Sequence, residues 1–303
     1  MNWLVIAIIA HFIFALVFIV DKFLLSKTVL QPRAYAFYVG LLGIFALLLI
    51  PFGFTLLPVG QIAASLIAGI LFILAILFFY KLIQIGEVSR ITPIVGGAVP
   101  IFTLILTYLF LGERLTNYQL IAFFLLVFGG VIMLWPRKDK INPSVGQASL
   151  IKKLTLAVTA ALFFAGSFVL TKFIFMEQPF INGFIWIRLG GFLGACLLLF
   201  WPGSRQIIFR TTETIKIKSV VLLISNKTLS ALAFILLNYA IFLGSVTLVN
   251  SFQGIQYAFL LIVALFLSKK FPQILKEQIS RGMILQKIMA ISFIVLGLGI
   301  LAF

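Results

Sequence analysis

The chain has 303 residues, 63% of them hydrophobic and only 10% charged, with a mean hydropathy of +1.25. So few charges could not cover the surface of a water-soluble domain of this size. The net charge of +16 would suit nucleic acid, but the basic stretches have no interleaved aromatic platform for bases, and no nucleic-acid partner is expected.

The chain instead divides into apolar runs of about 18 to 25 residues, the length an α-helix needs to cross roughly 30 Å of hydrocarbon. Ten are predicted: Trp3–Leu25, Ala34–Leu57, Ile62–Ile85, Val88–Leu111, Tyr118–Trp135, Leu154–Phe175, Gly183–Trp201, Ser219–Leu243, Val246–Ser268 and Leu285–Phe303. Connections are short; only Pro136–Lys153, Pro202–Lys218 and Lys269–Ile284 are longer, and none would build a soluble domain. The protein reads as an all-α, multi-pass membrane protein.

The first run lacks a basic leader and a small-residue cleavage site, so it is expected to be retained. His11 lies near its middle, where it would relay a proton or simply pack. Asp21 and Lys22 close the run, and Lys81 lies near the end of the third. Snorkelling or a salt bridge is the expectation for these ends. The fourth run holds Pro93, Pro100, Gly96 and Gly97. Prolines are tolerated in a membrane helix where neighbours or a cavity receive the freed carbonyls, and the glycines permit close helix approach. Thr92, Gly96, Thr103 and Thr107 fall roughly on one face, a candidate cavity wall.

The seventh run holds Trp186, Arg188 and the lone Cys196, which excludes a disulfide within the chain. Arg188, about a turn and a half inside its end, reads as a gate or a snorkelling side chain. Lys227 lies about nine residues into the eighth run, some 13 Å along the axis at 1.5 Å per residue. A cation that deep normally faces a cavity, a partner or a ligand. Ser230, Phe234 and Asn238 follow it on one face, with Tyr239 beside them. The ninth run carries a matching stripe of Asn250, Gln253, Gly254 and Tyr257. Two polar faces in lipid predict a shared cavity, against a reading as plain helix–helix hydrogen bonding. After the ninth run, Ile274, Leu275 and Ile279 share a face opposite Lys and Arg, which predicts a short interfacial helix.

All seven carboxylates lie at or beyond the ends of runs, so no buried carboxylate is expected. His11 has no Cys or carboxylate partner for a metal. No phosphate loop or nucleophile elbow is present. No enzyme activity, metal or cofactor is expected.

Of the 23 Lys and Arg residues, 19 fall in the connections after the first, third, fifth, seventh and ninth runs and their flanking turns. The positive-inside rule places those loops in the cytoplasm and both termini outside, with the basic face against anionic lipid headgroups of the plasma membrane. Internal similarity adds a repeat. "ALVFIVDKF" at Ala15–Phe23 matches "AGSFVLTKF" at Ala165–Phe173, and Leu120–Leu134 pairs with Ile288–Ala302. Five helices followed by a related five insert with opposite orientation, the plan of many secondary transporters. Residues 1–136 would form the first repeat, 137–152 a basic linker, and 153–303 the second.

"EVSRITPIVGGAVPIFTLILTYLFLGERLTNYQLIAFFLLVFGGVIML", from Glu87 to Leu134, resembles the end of an EamA domain through Ser89, Arg90, Pro93, Pro100, the Gly112–Glu113 turn and Gly129. Ten helices in two five-helix repeats are similar to the drug/metabolite transporter superfamily. The second half departs from the pattern: Ser268-Lys269-Lys270 stands where another Gly-Glu turn would fall. The resemblance implies metabolite export, and also cytoplasmic termini, against which the charge bias is preferred for this chain.

The expectation is a secondary transporter working by alternating access. Its substrate is a small organic anion or zwitterion such as an amino acid, held by Lys227, Asn238, Tyr239, Asn250, Gln253, Tyr257, Thr103 and Trp186. His11, Arg188 and Lys81 are candidates for gating or coupling. A lipid-linked or sugar-phosphate carrier with a lateral opening and a non-transporting scaffold are the alternatives, and homodimerisation stays open.

Overall fold

The computed structural model describes residues 3–27, 31–85, 88–134, 147–201, 203–214, 217–268 and 281–302. Among them the secondary structure is helical, with no strand. In lipid every backbone group must find its partner inside the protein, and a helix does this residue by residue.

The elements are α1 (Trp3–Lys27), α2 (Pro32–Leu41) continued by a 3-10 stretch (Leu42–Phe52), α3 (Val59–Ile85), α4 (Val88–Leu106) ending in a π turn (Thr107–Leu111), α5 (Asn117–Leu134), α6 (Gln147–Glu177), α7 (Phe180–Leu199), α8 (Ser204–Thr214), α9 (Ile217–Leu243), α10 (Val246–Ser251), α11 (Gln253–Ser268) and α12 (Arg281–Ala302). Eight stretches among the described residues are long and apolar enough to cross a membrane. The fifth run yields a shorter apolar helix, Asn117–Met133. The ninth is broken at Phe252 into α10 and α11.

Three features refine the predicted runs. The second run ends in a 3-10 stretch, then an extended segment at residues 54–58 that turns the chain towards α3. The fourth run passes through Pro93 and Pro100 without interruption. The connection at 202–218 contains α8, whose SRQIIFRTTET sequence is too polar to have registered as a span. The basic stretch at 269–280, with Ile274, Leu275 and Ile279, lies outside the described residues, as do 137–146 of the expected linker; α6 begins at Gln147.

Small residues set the packing. Helix association in lipid relies on close contact, so glycine marks the interfaces. A methyl group at Gly69 of α3 would overlap the α7 backbone at Ile187 and Gly191, and one at Gly190 the backbone of Leu66. On α5, Gly129 faces Ile294 and Ala290 of α12, while Gly130 meets Gly254 of α11. Around these seams α3 packs on α6 and α7, α1 on α9 and α11, α4 on α6, and α5 on α11 and α12. The Gly112–Glu113 turn is present: Gly112, at φ 65, closes the π turn in the left-handed region that favours glycine. Thr116 and Gln119 then cap α5 reciprocally, Thr116 N donating to Gln119 Oε1 (2.9 Å) and Gln119 N to Thr116 Oγ1 (3.3 Å).

Candidate substrate cavity

A cavity of about 490 Å³ lies among α1, α2 with its 3-10 stretch, α3, α4 (through Val95 and Val99), α6 (through Phe164 and Phe168), α7, α9 and the α10–α11 break. That volume is in the range of small-molecule sites. Nine phenylalanines and three tyrosines line it, so its wall is largely aromatic.

One end is closed by a charged cluster. Asp21, 6% exposed, accepts from Lys227 Nζ at 3.0 and 3.2 Å, from Tyr35 Oη at 2.7 Å and from Asn226 Nδ2 at 2.6 Å. Tyr80 Oη adds a longer contact of 3.5 Å, and the Lys227 ammonium sits 4.3 Å from the centre of the Tyr35 ring. This corrects two expectations. A carboxylate is buried in the membrane region, and Lys227 is already neutralised by it. Asp21, near the end of α1, looked like a run end because its partners come from α2, α3 and α9.

The unpaired cation is Arg188. No carboxylate reaches it among the described residues. Its guanidinium stands over the Phe234 ring at 5.0 Å and reaches the Val39 carbonyl only at 3.5 Å. Gly43 of the 3-10 stretch leaves it room: a Cβ there would lie 2.9 Å from the Arg188 carbonyl and 3.3 Å from Nη2. A cation in apolar surroundings without a counter-charge is costly, and its usual compensation is a ligand or a partner.

The facing wall comes from α1 and the α10–α11 break. At Phe252 the helix hydrogen bonding changes, and the Val249 carbonyl receives both Phe252 N (3.3 Å) and His11 Nε2 (3.2 Å). A carbonyl only accepts, so Nε2 carries a proton. His11 Nδ1 lies 3.3 Å from Gln256 Oε1, and turning that amide offers the ring a donor instead. Asn250, 5% exposed, turns into the cavity with its Nδ2 unpartnered. A buried donor without an acceptor is a rare and unfavourable state. Gln253, Gln256 and Tyr257 complete this wall. Irregular backbone at membrane depth is tolerated where it lines such a space.

The structure thus brings together Lys227, Asn250, Gln253, Tyr257, His11 and Arg188, with Ser230 and Phe234. It places the other candidates elsewhere. Asn238 Nδ2 donates back to Phe234 O (2.8 Å) and borders a minor void between α3, α6, α7 and α9. Tyr239 packs on Phe180 and Phe242. Thr103 is fully buried and donates to Val99 O (2.8 Å), while Thr107 ties α4 to Thr247 of α10 (2.9 Å). Trp186 stacks on Phe54 and donates to Thr55 O (3.1 Å). Lys81 rests over Phe78. Gly254 faces α5, where a Cβ would meet Leu126 O at 2.8 Å, so it seats that helix instead of lining the cavity. Sequence reasoning missed Asp21, Tyr35, Tyr80 and Asn226 as one cluster. Only the burial of Lys227 called for a counter-charge, and nothing local says which carboxylate supplies it.

Residues 1–135 match the EamA-like transporter family. Over those residues, its first five helices, the chain is similar to that family, which belongs to the drug/metabolite transporter superfamily. The matched region supplies α1, α2, α3 and α4 to the cavity, and so Asp21, Tyr35, Tyr80 and His11. No curated protein matches the chain. A solved structure described as "Crystal structure of protein" covers 98% of this chain and 94% of its own with a TM-score of 0.68. At 15% identity it shows that the matched region and the half that follows share that fold, and nothing of function.

Proposed function

We propose that the protein is a secondary transporter that moves a small organic anion or zwitterion by alternating access through this cavity. The observation that carries the reading is Arg188, an unpaired cation facing a membrane-embedded cavity whose other cation is neutralised by Asp21. Asn250 and Gln253 would add hydrogen bonds to a carboxylate, and Tyr257 a packing wall. Lys227 serves as a structural and gating group, not as the first anchor.

The two-repeat reading is supported by the packing. Exchanging α1 with α6, α3 with α9, and α4 with α10–α11 turns the α3–α6 contact into α9–α1, and α4–α6 into α11–α1. Exchanging α2 with α7 as well turns α3–α7 into α9–α2, and there the two helices stand across the cavity and meet at Lys227 and Tyr35. Such an asymmetry is what one state of an alternating-access carrier would have. The basic loops would face the cytoplasm at the plasma membrane, against anionic headgroups, with both termini outside. Export is the direction the family resemblance favours.

The test is a ligand panel read by thermal stability in lipid nanodiscs: amino acids, organic acids, sugars, sugar phosphates and organic cations. A ligand at a hundred times its dissociation constant stabilises by about 2.7 kcal/mol. Anions or zwitterions should stabilise the wild type and lose that effect in Arg188→Gln. Equal stabilisation of both proteins by cations or sugars would overturn the reading.

A further inference from the structure

We propose that the cavity is loaded sideways from the bilayer, between the 3-10 stretch after α2 and helix α9, and that it takes a monovalent amphiphilic anion. This rests on the anion reading above and names the substrate class for the same site.

Three observations point to the lipid as the route. The end that holds the Asp21 cluster is tied shut. Towards the opposite end of the helices, Gln178 Nε2 donates to Gln61 Oε1 (2.7 Å) and Asn182 Nδ2 to Thr55 Oγ1 (2.7 Å), tying the stretch before α3 to α6 and α7 outside the cavity lining. The lining residues that are also highly exposed are Phe45 (61%) and Leu48 (71%), with Ala231 exposed opposite them on α9. Phe45 and Ala231 lie well inside the spans Pro32–Phe52 and Val220–Leu243, hence at hydrocarbon depth, and Leu48 follows one turn nearer the end of the first. A mouth at that depth meets acyl chains.

The charge and the wall then define the substrate. Lys227 and Asp21 cancel, leaving Arg188 as a single positive charge, so one negative charge neutralises the loaded site. A second would have no cation unless the Asp21–Lys227 pair opened. The Asn250 Nδ2 donor supplies a neutral hydrogen bond to the same oxygen-rich head. The aromatic wall accepts an aryl or alkyl body, which also carries the molecule into the bilayer from which it enters.

The closing experiment has two arms on the full chain in nanodiscs. The first compares acetate, butanoate, octanoate, octyl phosphate and octylamine by thermal stability. Apparent affinity, expressed as aqueous concentration, should rise about fourfold per methylene from butanoate to octanoate. Octyl phosphate should be weaker than octanoate, octylamine inert, and the response absent in Arg188→Gln. Acetate equal to octanoate would overturn the amphiphile and leave the anion transporter standing. Tighter binding of octyl phosphate would overturn the single charge. Binding of octylamine alone would overturn both readings. The second arm places a spin label at Phe45→Cys in a Cys196→Ser background. Collision with dissolved oxygen should exceed collision with an aqueous nickel chelate, and octanoate should slow the label. Dominant access by the chelate would mean a water-filled mouth and would refute lateral loading.

Discussion

Removing Lys227 and removing the Asp21 charge should not be equivalent. Breaking a buried ion pair from one side costs roughly 3–5 kcal/mol, because the partner is left charged and dry. In Lys227→Met the Asp21 carboxylate keeps Tyr35 Oη at 2.7 Å and Asn226 Nδ2 at 2.6 Å. Hydrogen bonds to a charged group contribute about 1.5–3 kcal/mol each, so this variant should fall near the low end of the range. In Asp21→Asn the ammonium loses its counter-charge and keeps only a neutral amide oxygen and the face of Tyr35 at 4.3 Å, so the loss should approach the high end. The double variant removes both charges while the new amide oxygen still accepts from Tyr35 and Asn226. It should recover at least about 2 kcal/mol relative to the sum of the singles. Reversible unfolding in mixed micelles, followed by tryptophan fluorescence, gives all three values. Additivity within about 0.5 kcal/mol would show that the pair is not coupled, and would refute the gating role with it.

Other outcomes follow from single contacts. Gly69→Ala should destabilise by about 1–3 kcal/mol or prevent folding, since its methyl meets the α7 backbone, whereas Gly60→Ala, with open space around it, should be neutral or mildly stabilising in the same thermal assay. Lys172 Nζ caps the end of α9 through Ile241 O (3.0 Å) and Gly244 O (2.7 Å); Lys172→Met should cost about 1 kcal/mol, read as a lower melting temperature. Gly43→Val should push Arg188 from the 3-10 stretch and weaken anion stabilisation at least tenfold; it should also lower unliganded stability, since its Cβ would meet the Arg188 carbonyl at 2.9 Å. If His11 couples protons, a pH gradient should drive uptake in the wild type and not in His11→Ala; equal uptake in the two would limit the histidine to holding Val249 and Gln256.

Apolar length was legible because the bilayer imposes it: run after run reappears as a helix, with ends shifted by a few residues. The internal breaks were not. Pro93 and Pro100 lie within α4, which stays one helix from Val88 to Leu106, while the ninth run breaks at Phe252, a residue with no helix-breaking chemistry of its own. What decides there is tertiary: His11 of α1 takes the Val249 carbonyl. The depth of Lys227 could be read from its position, and its partner could not, because Asp21 is 206 positions away. Helical spacing put Asn250, Gln253 and Gly254 on one face, yet the neighbour on each side of that face differs, so the first two reach the cavity and the third seats α5.

The 3-10 stretch has a further consequence for the membrane itself. Ten residues of α2 at about 1.5 Å and eleven at about 2.0 Å give a length near 37 Å, against about 31 Å if the whole segment were α-helical. The same residues can therefore match hydrocarbon slabs differing by roughly 5 Å by exchanging one hydrogen-bond pattern for the other. The wall of the cavity is then also a gauge of acyl-chain length, and transport measured across vesicles of stepwise thicker lipid should peak where the extended form fits.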